Sequence, residues 1–165
     1  MVPSQCRQSH RFLTELRKVL GTLATTAAVV ASGVILAPAA SAGTYGCGGS
    51  EIDSYAVKTN GGTQYATVHL FYDSSTKRNC AVNVATSAGG YGTSGFMLLH
   101  LAECSGITLS SCTDSPITTD DDGGNYSYYA GPVSVPAAGH CILVSASREY
   151  NGVNAGTQHG PVHCS

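Results

Sequence analysis

The chain has 165 residues, 20 of them glycine and none tryptophan, with a formal net charge of −2. Only 11% of its residues are charged, and the scattered bases form no stripe that could follow a phosphate backbone, so nucleic acid is not an expected partner. The length leaves room for one domain behind an export segment.

Residues 1–42 read as a secretory signal peptide. Arg7, Arg11, Arg17 and Lys18 stand against a single acid, Glu15, and an alanine-rich apolar run follows from Leu20 to Ala37. Pro38 then leads into Ala40-Ser41-Ala42, a small-residue cleavage site. Gly21, Thr22, Thr25, Thr26, Ser32 and Gly33 weaken the run as a permanent anchor, so the expectation is a secreted protein with no membrane anchor after cleavage. Residues 43–165 remain as one domain, with four bases, nine acids and a net charge of −5.

Cys6 leaves with the signal, and Cys47, Cys80, Cys104, Cys112, Cys141 and Cys164 stay. An even number in a small exported chain reads as a disulfide framework. A zinc site would need close thiolate pairs such as C-x2-C, and the chain has none. Spacing alone does not choose among the possible pairings. Cys104 and Cys112 enclose the short polar loop SGITLSS and are paired first. Cys47–Cys80 and Cys141–Cys164 are the guess for the remainder, which stays open.

From the first cysteine onward, glycines alternate with short segments rich in tyrosine, threonine, valine and serine. TQYATVHLFYD (63–73) reads as a strand, DSSTKR turns it back, and NCAVNVAT (79–86) returns with Cys80, Val82 and Val84 on one face and Ala81, Asn83 and Ala85 on the other. SAGGYGTSG is a loop. FMLLHLAE (96–103) is apolar enough for a buried strand, with a helical turn as the alternative. Asp120-Asp121-Asp122 reads as a solvated turn, with Asp122 or Asn125 bonding local backbone. NYSYYAGPVSV is a strand interrupted at Gly131-Pro132, hence at an edge or bulged, since proline lacks the ladder donor. Pro136–Gly139 turns the chain, HCILVSAS (140–147) returns, and GPVHC (160–164) closes it. The fold class is therefore all-β, a small antiparallel sandwich or barrel stapled by disulfides.

The chemistry offered is thin. Three consecutive aspartates diverge, whereas an EF-hand loop alternates its ligands and adds a glutamate. Tyr126 and Tyr128 would share one strand face, a possible binding face with Asp122 and Asn125 that could stack on a sugar. Ser74-Ser75-Thr76-Lys77 has S-x-x-K spacing but sits in a hairpin loop without its companion motifs, and GYGTSGF does not complete G-x-S-x-G. His159 and His163 would lie roughly 13 Å apart on a strand, too far for one metal, while His69 and His100 could meet across strands. No catalytic constellation, metal site or cofactor site is expected.

DGGNYSYYAGPVSVPAAGHC (122–141) resembles the signature of the spore-associated protein A family, small exported proteins of spore-forming actinomycetes. That signature runs D-x-G-N-Y-x-x-Y-A-G-P-V, then a short turn and G-x-C. It is matched by Asp122, Gly124, Asn125, Tyr126, Tyr129, Ala130, Gly131, Pro132, Val133, Gly139 and Cys141. NCAVNV (79–84) is similar to the family's N-C-x-V-x-V strand, and VHCS to its terminal H-C. ECSGITLSSC departs from the pattern as an insertion carrying its own cysteine pair, which leaves Cys47, Cys80, Cys141 and Cys164 as the shared framework. The resemblance implies association with a spore or cell-wall surface and brings no catalytic residues with it. The expected function is that of a secreted, structural, non-enzymatic surface protein. The alternative is a secreted binding module or effector, such as a carbohydrate binder or a protease or microbial inhibitor.

Overall fold

The structure, a computed structural model, describes residues 44–164; the signal peptide expected at 1–42 lies outside the described residues. After a 3-10 turn at Thr44–Gly46 come β1 (Ser50–Thr59), β2 (Gln64–Asp73), β3 (Arg78–Ala85), β4 (Gly95–Glu103), the short helix α1 (Leu109–Thr113), β5 (Thr118–Tyr126), β6 (Tyr129–Pro136), β7 (Ile142–Tyr150) and β8 (Val153–Val162). Every ladder is antiparallel, in the order β5-β4-β7-β8-β1-β2-β3-β6. The two ends of that order, β5 and β6, lie against each other, so the sheet nearly closes into a barrel.

Alternation sets the inside. Tyr55 and Val57, Ala66, Val68 and Leu70, Ala81 and Ala85, Met97, Leu99 and Leu101, Val133 and Val135, and Ile142, Val144 and Ala146 all point into one core. FMLLHLAE is a strand, with Met97, Leu99 and Leu101 fully buried between exposed Phe96 and Leu98. The outward residues of β3, Cys80, Val82 and Val84, form a second cluster with Phe71 and Cys47, beneath the segment that precedes β1. A third, Ala102, Cys104, Cys112, Cys141 and Leu143, lies under α1. The disulfides are Cys47–Cys80, Cys104–Cys112 and Cys141–Cys164. The first two pin covering segments onto the outer face, and the third ties the chain's last turn to the start of β7.

Three expectations are corrected. β1 and most of β8 were not anticipated, because SEIDSYAVKT and VNAGTQHGPV carry few inward apolar residues. The aspartate run is strand, not turn: Thr118–Tyr126 pairs with β4 along its whole length. The tyrosine-rich segment breaks at Ser127-Tyr128, and Gly131-Pro132 is a register shift inside β6 rather than its interruption. That β6 lies at the end of the strand order and is irregular at its proline agrees with the missing donor. Gly131 there has φ +100°, and an added Cβ would sit 2.9 Å from the Ala81 carbonyl oxygen, so no other residue fits without strain.

Why three aspartates belong in a strand is clear at the β5–β6 seam. Asp120 and Asp122 alternate toward β6, where Asp122 Oδ2 accepts the Gly131 N–H at 2.6 Å and Asp120 Oδ2 accepts the Ser134 N–H at 2.7 Å. The second oxygen of Asp122 accepts the Tyr126 hydroxyl at 2.5 Å. Asp121 points the other way, to His100 Nδ1, also at 2.5 Å. Side-chain carboxylates thus take the acceptor role that carbonyls play in the other ladders, and bonds to a charged acceptor are the stronger kind. Asp122→Ala should lower the unfolding free energy by about 2 kcal/mol and speed hydrogen exchange at the Gly131 amide. Asp121→Ala, at a half-exposed ion pair, should change stability by about 0.5 kcal/mol or less. Urea unfolding and amide exchange on the two variants check both.

Candidate functional site

The four residues expected to form one binding face point in three directions. Asp122 and Tyr126 turn into the seam, where the Tyr126 ring packs on the main core. The hydrogen bond to Asp122 pushes the Tyr126 phenol above its usual range. Asn125 faces outward and lines a hollow with Phe96, Glu149 and Asn151. Tyr128 sits on the bend after β5, not on a strand, so it shares no face with Tyr126. Its partner is Tyr91, ring edge to ring face at 5.0 Å, and Tyr129 meets Tyr45 at 5.5 Å. All four of these rings are exposed.

Beneath this region lies a residue that sequence reasoning left among the scattered surface bases. Arg148 follows Ile142, Val144 and Ala146 on the inward side of β7 and is completely buried. Its Nε donates to the Gly89 carbonyl at 2.9 Å. Nη1 donates to Gly95 and Tyr126 at 2.8 and 3.0 Å, and Nη2 to Thr93 and Gly90 at 2.8 and 3.4 Å. Five guanidinium N–H groups therefore meet five carbonyls, the full donor capacity of the side chain. Burial lowers the guanidinium pKa from its ordinary value, yet arginine stays charged in proteins. The carbonyls belong to the SAGGYGTSG loop and to the end of β5, so one cation fixes the loop that carries Tyr91 and the strand ends that carry Phe96 and Asn125. Gly90, at φ +77°, lies so near Tyr150 that a Cβ would come 2.3 Å from the ring. The period-two inward position after 142, 144 and 146 was the available signal for Arg148. A lone arginine at a strand end gave no reason to use it.

The histidines disperse. His69 pairs with Glu51 at 2.8 Å, His100 with Asp121, and His140 with the buried Glu103 at 2.7 Å. His69 and His100 therefore do not meet. His159 and His163 both reach Tyr55: His159 stacks on its ring at 4.1 Å, and His163 Nε2 is 3.4 Å from its hydroxyl. The Tyr55 hydroxyl donates to Asp53 Oδ2 at 2.8 Å. That bond holds the Asp53 carboxyl below the usual carboxylate range. Burial first, and then the same bond, push the Tyr55 phenol far above the ordinary tyrosine range. This cluster fills the junction where β1 and β8 share only the Lys58–Gly156 and Thr59–Ala155 pairs. Among the described residues no three His, Cys, Asp or Glu side chains converge to hold a metal, and no helix is long and apolar enough to cross a membrane.

Two outcomes follow. Arg148→Lys offers three donors in place of five and should leave loop carbonyls unpaired, lowering stability by about 3 kcal/mol in urea unfolding. Because the folded Tyr55 pKa is raised, its contribution is intact below about pH 10, the unfolded value, and declines as the unfolded phenol ionises above it. Tyr55→Phe should therefore flatten the alkaline loss of stability, measured by circular dichroism across that range.

With this geometry in hand, comparison with known proteins gives one informative result. No family model matches the chain, and no solved structure matches it. The chain is 31% identical over 137 residues to spore-associated protein A of Streptomyces coelicolor, a match covering 77% of each chain. At that identity and coverage, the chain belongs to the spore-associated protein A family.

Proposed function

We propose that this is a secreted protein of the spore or cell-wall surface, with a structural rather than an enzymatic role. Membership of a family whose relative is named for spore association is the observation that carries this reading. Three features of the barrel support it. The core is filled by side chains of seven of the eight strands, with Tyr126 of β5 packed against it. Three disulfides staple the domain, as suits a protein that works outside the reducing cytoplasm. Four histidines each sit on a carboxylate, and the most perturbed phenol, Tyr55, is held protonated.

Quantitative mass spectrometry of washed spores, vegetative filaments and medium tests the proposal. Enrichment on spores that survives a high-salt wash is the expected result, because a domain with four bases and nine acids has little ionic attraction to an anionic wall. Recovery almost entirely as free protein in the medium would overturn it in favour of a diffusible binder or inhibitor.

A further inference from the structure

The outer face of β4, β7, β8 and β1 carries a groove that the core and the seam do not explain. A hollow of about 530 Å³ lies there, and one of about 290 Å³, between the loop before β4, the end of β5 and the β7–β8 turn, adjoins it at Phe96 and Glu149. Cross-strand register shapes it. Ser147 pairs with Gly156, and Gly156 with Lys58, so the floor is made by the smallest outward residues of β7 and β8. Phe96 rises at one side, beside the Met97–Arg148 pair, and Lys58 at the other. Three inter-strand spacings and two residues along the strand separate those walls, about 16 Å. Glu149 and Asn154, directly paired across β7 and β8, close one end.

The chemistry of the lining is selective. Phe96 is 44% exposed, a large apolar ring held open to solvent on a strand. The lining also carries the amides of Asn60, Asn125 and Asn154, each exposed and each without a side-chain hydrogen bond among the described residues. The lining includes one cation, Lys58, and one anion, Glu149, so it is neutral in a domain of net charge −5. A flat apolar ring offers the face on which a sugar's C–H surface stacks. Free amides and a carboxylate supply paired donors and acceptors for neighbouring hydroxyls. A charged ligand finds no excess of opposite charge, and an apolar one would strand the amides. The size lies in the range of ligand sites.

We propose that this groove binds a segment of a neutral glycan strand, stacked on Phe96 and hydrogen-bonded by Asn154, Glu149 and Asn125. The proposal deepens the surface reading and rests on it for the source of the glycan, the cell envelope. Binding itself is a property of the purified protein, so it fails or succeeds independently of where the protein resides.

The test is an amide-detected NMR titration of the secreted protein, expressed from the full chain, with cellohexaose and with its N-acetylated counterpart chitohexaose. Saturable shifts centred on Phe96, Glu149 and Asn154 are expected with at least one of them. Phe96→Ala should weaken that binding roughly tenfold. Gly156→Gln should abolish it by filling the floor: an added Cβ meets only the Ala146 carbonyl oxygen, at an ordinary 3.8 Å, so this variant keeps the fold. Tyr128→Ala, outside the groove, should bind like the parent. The proposal is overturned if neither glycan shifts the groove, if binding survives Gly156→Gln, or if the shifts centre on Tyr91 and Tyr128 instead.

Discussion

One buried cation organises this end of the molecule. Arg148 has no carboxylate against it; its charge is met by five carbonyl dipoles, drawn from a glycine-rich loop and two strand ends, and by the Tyr150 ring 5.9 Å away. A guanidinium buried in this way is tolerable only when every N–H is met, because a buried unpaired polar group costs far more than a satisfied one gains. The requirement works in both directions. The loop must present its carbonyls inward, which is why Gly90 takes a left-handed backbone against the Tyr150 ring. The guanidinium in turn gives a sequence of little packing value, SAGGYGTSG, a single conformation. The exposed aromatics above it inherit their positions from that one contact.

A second theme is the use of side chains where a barrel would ordinarily use main chain. At the β5–β6 seam, carboxylates of Asp120 and Asp122 accept amide protons of the facing strand. At the β8–β1 junction, where the ladder has only two residue pairs, the stacked Tyr55 and His159 and the contact between Asp53 and His163 fill the gap. A small barrel needs strong tilt and stagger to close. Side chains at these two junctions relax that demand, together with register shifts in the β1–β2, β3–β6 and β7–β8 ladders. Asn83 performs a related service inside, donating from Nδ2 to the Leu98 and Ser147 carbonyls of β4 and β7.

Much of the fold was legible because strands with one buried face announce themselves. The faces of β3 were read residue by residue, and β2 and β4 were placed within a residue or two, since Val, Leu, Tyr and Met alternate with smaller or polar neighbours there. The all-β class followed from these and from the glycine spacing. The aspartate run was misread for a physical reason: its inward row faces a backbone edge that wants acceptors, whereas sequence periodicity registers only apolar burial. β1 escaped because only Tyr55 and Val57 mark its inner side. The proposed groove was invisible for another reason, since its floor and walls are defined by the register of the β7–β8 hairpin with β4 and β1, which lie far from it in the chain. Phe96 could be seen as apolar, but not as exposed.

The aspartate seam also bears on the two open edges of the sheet. A sheet normally ends in two rows of unsatisfied amides and carbonyls, and such rows recruit a strand from the next molecule. Here the two terminal strands of the order face one another, with carboxylates seated on the amides between them. The negative charge adds a penalty for any foreign strand that would displace them. The acidic run thereby occupies, within one molecule, amides that an edge strand would leave open.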